Sequence, residues 1–390
     1  MKRGFLNGNK VKQRALYPLP SPNANSNSNI STNANADRDG ANINSQMRYT
    51  KSEAHKTDHS PASIVFTTIP PRPDPDGQSE WIALGDAKKR VLGVPGYPRA
   101  LPSMDGESVA YEVRDAGAHE KGMGLGVFAT RDIDAGALIF AERPLLVIPV
   151  NSGRLATSDS NIENTLAIAV GRMRAGSRDA FMQLANCHND EGPLLGIVRT
   201  NGWIVRELSD EGEGTDKAYT AICKIAARIN HSCMPNIHAR FDLASFAFYI
   251  RAARGIKAGE QLFHSYCSVN LPLTARRAAL APYAFTCACH ACTHASPTSD
   301  TLRREFATRV EAYRRMSDAW VGKKASKKVD EGVVRELEEF RKELVSEGLD
   351  GTRTYGVMLS AILRLYMNSG RIGEARVLVE EMRQRQRLEG

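Results

Sequence analysis

The sequence predicts an α+β chain: short curled β-sheets, interrupted by a helical insert and followed by a helical C-terminal region. Three observations carry this. Short apolar runs separated by turn residues recur from Glu107 to Pro149 and again from Ile237 to Cys267. Between these stretches, and again after Asp300, the apolar spacing changes to that of a helix. Three cysteines then fall within six residues, Cys287-x-Cys289-x-x-Cys292, at the spacing of metal ligands.

Residues 1–80 are rich in Asn, Ser, Ala and Pro, and Asn23 to Gln46 is of low complexity. Such a composition buries little apolar surface, so a disordered tail is expected there. Ser108 to Arg114 reads as a strand, Gly117 to Gly126 as a glycine-rich turn and Val127 to Thr130 as a second strand. Ala137 to Pro149 is a strand run broken at Pro144, since proline removes a ladder donor. Leu166, Ile168, Val170, Met173, Phe181, Met182 and Leu184 keep a helical period, which places a helical insert at about 155–210. It closes through Thr200-Asn201-Gly202-Trp203-Ile204-Val205 and an acidic loop, Ser209 to Asp216. Ile237 to Phe241 and Ser245 to Arg251 form a hairpin, Gln261 to Cys267 a strand, and Thr274 to Ala281 a helix stopped by Pro282. From about 300 to 390 the chain reads as helices broken at 322–328, 348–351 and 368–370. The last two, Thr354 to Met367 and Ile372 to Arg387, form an antiparallel pair resembling one tetratricopeptide-like unit.

The totals are those of a soluble globular chain: 390 residues, 42% hydrophobic and 25% charged. No apolar run of about eighteen residues exists, so no transmembrane helix is expected. The first residues lack the apolar segment of a secretory signal. They carry Lys2, Arg3, Lys10, Lys12 and Arg14 and no acid before Asp37, which is the charge bias of a mitochondrial transit peptide. Pro18, Pro20 and Pro22 oppose the amphipathic helix that import requires. The seven cysteines are an odd, clustered set rather than a disulfide framework, which favours a reducing compartment, nucleus or cytoplasm. Lys323-Lys324 with Lys327-Lys328 reads as a nuclear signal or as a solvated helix end. The net charge of +8 permits an acidic partner such as chromatin without requiring one.

Chemistry concentrates in three places. Arg228-Ile229-Asn230-His231-Ser232-Cys233-Met234-Pro235-Asn236 is a polar segment between two apolar ones, and buried polar clusters must satisfy their amides and imidazole. Cys287, Cys289 and Cys292 supply three thiolates where zinc prefers four ligands, leaving Cys233, Cys267, His290 and His294 as candidates for the fourth. A closed four-thiolate site would be structural. Lys121-Gly122-Met123-Gly124-Leu125-Gly126 lets backbone approach a ligand, but no helix follows and no P-loop lysine is present. Tyr266 ends an apolar strand, and His264 lies on the same face by strand alternation.

In order, Gly122-Met123-Gly124, Asn230 to Asn236, Gly259-Glu260-Gln261-Leu262-Phe263-His264-Ser265-Tyr266 and Cys287-Ala288-Cys289-His290-Ala291-Cys292 resemble the SET-domain protein lysine methyltransferases. The resemblance spans about residues 107–295. The helical insert, Asn201 and the helical C-terminus are most similar to the SMYD and related fungal branch. A MYND finger is missing, because no cysteine occurs between Ala141 and Asn186. The resemblance implies a SET domain over 107–285, a zinc-bound post-SET segment over 286–296, and two cofactors, S-adenosylmethionine and Zn²⁺. It implies contacts to S-adenosylmethionine from Gly122, Met123, Gly124, Leu125, Asn201, Asn230, His231, Tyr266 and Phe285. Phe285 would stack on adenine, and Tyr266 would be the catalytic tyrosine. Cys233 would join Cys287, Cys289 and Cys292 on zinc. The implied partner is a protein presenting a lysine, histone or non-histone. The alternative is a non-catalytic SET scaffold that binds a protein through its C-terminal helices. Direct nucleic-acid binding is disfavoured, since no basic recognition helix follows residues 287–292.

Overall fold

The computed structural model describes residues 49–51, 63–85, 87–103, 109–117, 124–150, 159–208, 218–321 and 331–389. Gly122, Met123 and the lysines from 323 to 328 lie outside this set. The first strands are β1 (Tyr49–Lys51), β2 (Ile64–Ile69) and β3 (Ser79–Leu84), followed by the short helix α1 (Ala87–Leu92). Then come β4 (Tyr111–Asp115), β5 (Leu125–Ala129), β6 (Leu138–Glu142) and β7 (Leu146–Pro149). The insert contains α2 (Asp159–Arg172), α3 (Ala175–Met182) and α4 (Pro193–Asn201), and leads to β8 (Gly202–Val205) and β9 (Tyr219–Ile222).

These strands correct the N-terminal expectation. The tail assigned to residues 1–80 includes β2 and the start of β3, and both are buried. Ile64-Val65-Phe66-Thr67-Thr68-Ile69 is a β-branched and aromatic run whose apolar content outweighs the polar composition around it. A six-stranded sheet in the order β1-β2-β3-β7-β9-β8 mixes these strands with later ones, so the folded unit begins well before residue 107. Trp81 of β3 is fully buried against Tyr219 and Phe246, at centroid separations of 5.9 and 5.3 Å. One sheet face packs on the insert, where Ile64, Phe66, Ile82, Leu146, Leu166, Val170, Phe181 and Leu195 share a core. Glu80 fixes that contact, accepting from Arg172 Nε at 2.8 Å and Thr68 Oγ1 at 2.6 Å.

The break at Pro144 is a change of sheet. β6 pairs with the antiparallel hairpin β11 (Ile237–Asp242) and β12 (Ala247–Ala252), whereas β7 enters the six-stranded sheet. At this crossing the Glu142 carboxylate accepts from the backbone N–H groups of Lys224, Ile225 and Ala226, at 2.7 to 3.1 Å. It thereby caps the 3₁₀ turn Ala226–Arg228 that delivers the chain to Asn230. Arg143, buried beside it, donates to the carbonyls of Ser245, Gly77 and Arg99.

The predicted strand 261–267 shortens to β13 (Phe263–His264), which pairs in parallel with β10 (Asn230–His231). Side-chain bonds replace the missing ladder, as described below for Asn236. His264 stacks on Trp203 of β8 with ring centroids 4.3 Å apart. Burial, with His231 and His238 nearby, pushes the His264 imidazole down to about 4. After β13 come α5 (Leu273–Leu280), α6 (His290–Thr293), α7 (Pro297–Val321), α8 (Glu331–Ser346), α9 (Arg353–Ser369) and α10 (Ile372–Glu389). Helices α7 to α10 enclose their own core around Phe306, Phe340, Tyr355 and Met358. Gly370 closes α9 in the left-handed region at φ 73°.

Two outcomes are expected. Glu142→Ala strips three backbone donors of their acceptor and should lower unfolding free energy by about 3 kcal/mol in denaturant titration. Because His264 is neutral in the fold and has an ordinary pKa near 6.5 when unfolded, protonation favours the unfolded chain. Stability should therefore be complete above about pH 6.5 and fall as pH drops toward about 4, by up to about 3 kcal/mol. His264→Gln should flatten that slope in chemical unfolding measured at several pH values.

Candidate active site and metal centre

The segment 229–236 runs against 260–266, and nearly every polar group between them is committed. Asn236 is fully buried. Its Nδ2 donates to Gln261 O at 2.8 Å and Glu260 Oε1 at 3.0 Å, and its Oδ1 accepts from Phe263 N–H at 2.7 Å. His231 is also buried, and its Nδ1 accepts from the backbone N–H of Tyr266 at 2.9 Å. Nε2 therefore carries the ring proton and faces Cys233 Sγ at 3.3 Å. Burial holds this imidazole neutral, down to about 4. One ring thus links the position of Tyr266 to that of Cys233.

Cys233, Cys287, Cys289 and Cys292 bring their sulfurs within 4.8 Å of one another. The first is on the segment before β11, and the others surround α6, whose one turn raises Cys292 beside Cys289. Cys233 and Cys292 approach to 3.5 Å. Cys289 is held far below the ordinary thiol range by thiol donation from Cys233, Cys287 and Cys292. The fully buried Arg276 places a guanidinium nitrogen 4.0 Å from Cys292 Sγ and also donates to Leu271 O and Ala291 O. Four convergent thiols with one resident cation fit a Zn²⁺ site with four thiolate ligands. His290 and His294 stack on each other at the exposed side of α6, away from that set. Cys267 lies within 4.8 Å of Cys233 and His231 but forms a separate group with them.

Next to this centre lies a cavity of about 200 Å³. It is lined by Gly124, Leu125, Asn186, Cys187, Arg228, Asn230, His231 and Phe285, among others. Gly124 adopts φ 62°, a conformation open to glycine at no steric cost, and Asn230 Nδ2 donates to Leu125 O at 3.2 Å. Asn201 is buried at the end of α4 and donates both amide hydrogens, to Ala185 O and Ile197 O. Its side-chain oxygen is the atom left for a ligand. A second, larger cleft of about 780 Å³ runs past Ile148, Leu195, Trp203, Phe248, His264 and Cys267.

Tyr266, Tyr283, Thr200, Asn201 and Ala227 line both spaces. Tyr266 donates its hydroxyl to Ile229 O at 2.8 Å, and burial pushes its pKa well above the usual tyrosine range. It is a fixed hydrogen-bonding group rather than a base. Tyr283, at a ring separation of 4.9 Å, and Arg228 were not singled out from the sequence. The order Tyr283-x-Phe285-x-Cys287 could have identified Tyr283, whereas Arg228 opens the polar segment 228–236 with no spacing that marks its own role. Of the residues expected at the cofactor, Gly124, Leu125, Asn201, Asn230, His231, Tyr266 and Phe285 come together here, and Gly122 and Met123 lie outside the described residues.

Comparison with known proteins finds similar segments in curated chains. The fission yeast (Schizosaccharomyces pombe) protein named histone-lysine N-methyltransferase set5 is 29% identical over 171 residues, 43% of this chain and 47% of that protein. The human protein named N-lysine methyltransferase SMYD2 is 36% identical over 105 residues, 26% of this chain and 22% of that protein. The matched segments span about half or less of these relatives. A solved SET domain of LSMT, bound to lysine and AdoHcy, aligns over 70% of this chain and 88% of that chain. Its identity of 11% and TM-score of 0.28 carry no residue-level argument. A sequence model of the SET domain matches residues 124–267, which contain β5 to β13, Asn201, the 229–236 crossing and Tyr266. Residues 124–267 of this chain are accordingly similar to the SET domain.

Proposed function

We propose that the protein transfers a methyl group from S-adenosylmethionine to the side-chain amine of a protein lysine. The supporting observation is that Tyr266 stands in the wall between two spaces, one sized for a small ligand and one an open cleft. The names of the two relatives agree with this chemistry. S-adenosylmethionine supplies a sulfonium-activated methyl group, and the protein's part is to align it with the amine.

The smaller cavity suits that donor. The aromatic ring of Phe285 offers a stacking face for adenine, and the Asn201 oxygen can accept from an amino group. Arg228 is the one charged side chain among the described residues lining it, and so the natural partner for a carboxylate. Its Nη2 also donates to Gln183 O, which fixes the guanidinium. The cleft suits a lysine. Ile229, Ala227, Trp203, Phe248 and Tyr283 give it an apolar wall. No carboxylate occurs among the described residues lining either space. An ammonium entering here is desolvated without an acidic partner, so its pKa falls from about 10.4 and the neutral, nucleophilic amine is favoured. Attack in line with the departing sulfur then depends mainly on positioning. Tyr266 holds one wall of the reaction site, its own proton committed to Ile229 O.

Zn²⁺ would be held by Cys233, Cys287, Cys289 and Cys292 and would act on structure alone, as a closed thiolate site. Phe285 lies two residues before Cys287, so the same turn that gathers the thiols sets the aromatic wall of the cavity.

Two tests follow from this reading. Tyr266→Phe should reduce methylation of lysines in a cell extract by about 100-fold while leaving the calorimetric affinity for S-adenosylmethionine within about twofold. Ordinary turnover by that variant contradicts the role of Tyr266, and absence of donor binding by the parent protein contradicts the enzyme. Cys233→Ser should purify with less than one zinc per chain by elemental analysis and bind S-adenosylmethionine about tenfold more weakly. Full zinc and full affinity would place the fourth ligand elsewhere.

A further inference from the structure

The metal centre explains Cys233 and three of the four thiols gathered around it. The remaining thiol, Cys267, follows Tyr266 directly, is half-buried and lines the open cleft. Its sulfur lies within 4.8 Å of Cys233 Sγ and of the His231 ring. Outside the four-thiol set it combines two properties, a face on the cleft and a place beside Cys233. Cys233 and Cys223 are buried beyond reach of solvent. Cys187 is held instead by Thr200 Oγ1 and Pro282 O. Cys267 is reachable by a small molecule entering the cleft and stands beside a thiol that can resolve the product.

We propose that Cys267 is an oxidation site for hydroperoxides, and that Cys233 is its resolving thiol. In the first step the Cys267 sulfur attacks one peroxide oxygen. The O–O bond breaks, a sulfenic acid forms at Cys267, and the other oxygen leaves as water or an alcohol. In the second step the Cys233 sulfur attacks the Cys267 sulfur, the S–O bond breaks, and a second water leaves. Two thiols have lost two electrons, and the peroxide has gained them. A disulfide needs the sulfurs at about 2.05 Å. From a separation within 4.8 Å, side-chain rotation with a small shift of the half-buried Ser265-to-Ser268 turn closes the distance.

The product removes Cys233 from the four-thiol set, leaving three ligands, and moves the residue that follows Tyr266. Metal retention and the shape of the cleft would change together. The disulfide itself requires only the two thiols. The metal consequence rests on the zinc reading given above.

The test uses the purified full-length protein with its bound metal. It is treated with one equivalent of hydrogen peroxide, blocked with N-ethylmaleimide and digested with trypsin without reductant. The sequence separates the thiols: Cys233 lies alone in peptide 229–240, Cys267 alone in 258–276, and the other three in 278–303. The expected product is peptide 229–240 joined to 258–276, released by dithiothreitol. Zinc release, followed with a chromogenic chelator, should rise with the cross-link and be about tenfold slower in Cys267→Ser. Oxidation confined to peptide 278–303, with Cys267 recovered as a free thiol, overturns the proposal. So does zinc release at an unchanged rate in Cys267→Ser. If that variant does not fold, the peptide map of the parent protein decides alone. A parent protein that forms the cross-link but contains no zinc supports the disulfide and overturns the metal reading.

Discussion

The side chain of Asn236 bonds two segments that are more than twenty residues apart, and both site and fold depend on that crossing. Its amide hydrogens go to Gln261 O and Glu260 Oε1, and its oxygen takes the Phe263 N–H. The backbone ladder between these segments is only two residues long on each strand, so it cannot fix their register alone. A buried amide that loses a partner carries a desolvation penalty of about 1–3 kcal/mol per orphaned group, which makes the arrangement specific. His231 extends the same logic. One ring nitrogen takes the Tyr266 amide and the other faces Cys233, so a single neutral imidazole sets two functional positions.

Around this crossing the chain uses buried cations to join separate segments. Arg276 sits beside the thiols and ties α5 to α6 through Leu271 O and Ala291 O. Arg303, fully buried on α7, donates to Val269 O and to Glu347 O, connecting the post-tyrosine turn to the end of α8. Gly348 follows, at φ 66°, and a Cβ there would stand 2.6 Å from the Met234 side chain. The C-terminal helices thus rest on the residue next to Cys233. Burying an arginine is costly unless its donors are met, and Arg303 meets its own at Val269 O, Glu347 O and the Glu347 carboxylate.

Much of the site was legible because its residues are local motifs. Asn230 to Asn236 and Cys287 to Cys292 are each continuous, and their order along the chain carries the family resemblance. Tyr283 was readable in principle from its spacing to Phe285 and Cys287. Arg228, Glu142 and Arg276 were not, because each acts through contacts with segments distant in sequence. The N-terminal strands were hidden for another reason. Composition averages over a window, and six β-branched or aromatic residues at 64–69 are diluted by Ser, Pro and charged residues on either side.

By itself, the sequence determined the element types, the helical insert, the sheet change at Pro144 as a break, and a set of thiols at ligand spacing. These follow from periodicity, proline chemistry and short-range spacing, which act over a few residues. Only the tertiary structure decided that 64–84 belongs to the central sheet and that the fourth thiol beside the cluster is Cys233. It also decided that Cys267 stands next to that thiol while facing the cleft, and that Tyr266 divides two cavities. These are long-range facts. They depend on which buried donor meets which acceptor once the chain has closed on itself, and no local pattern records that choice.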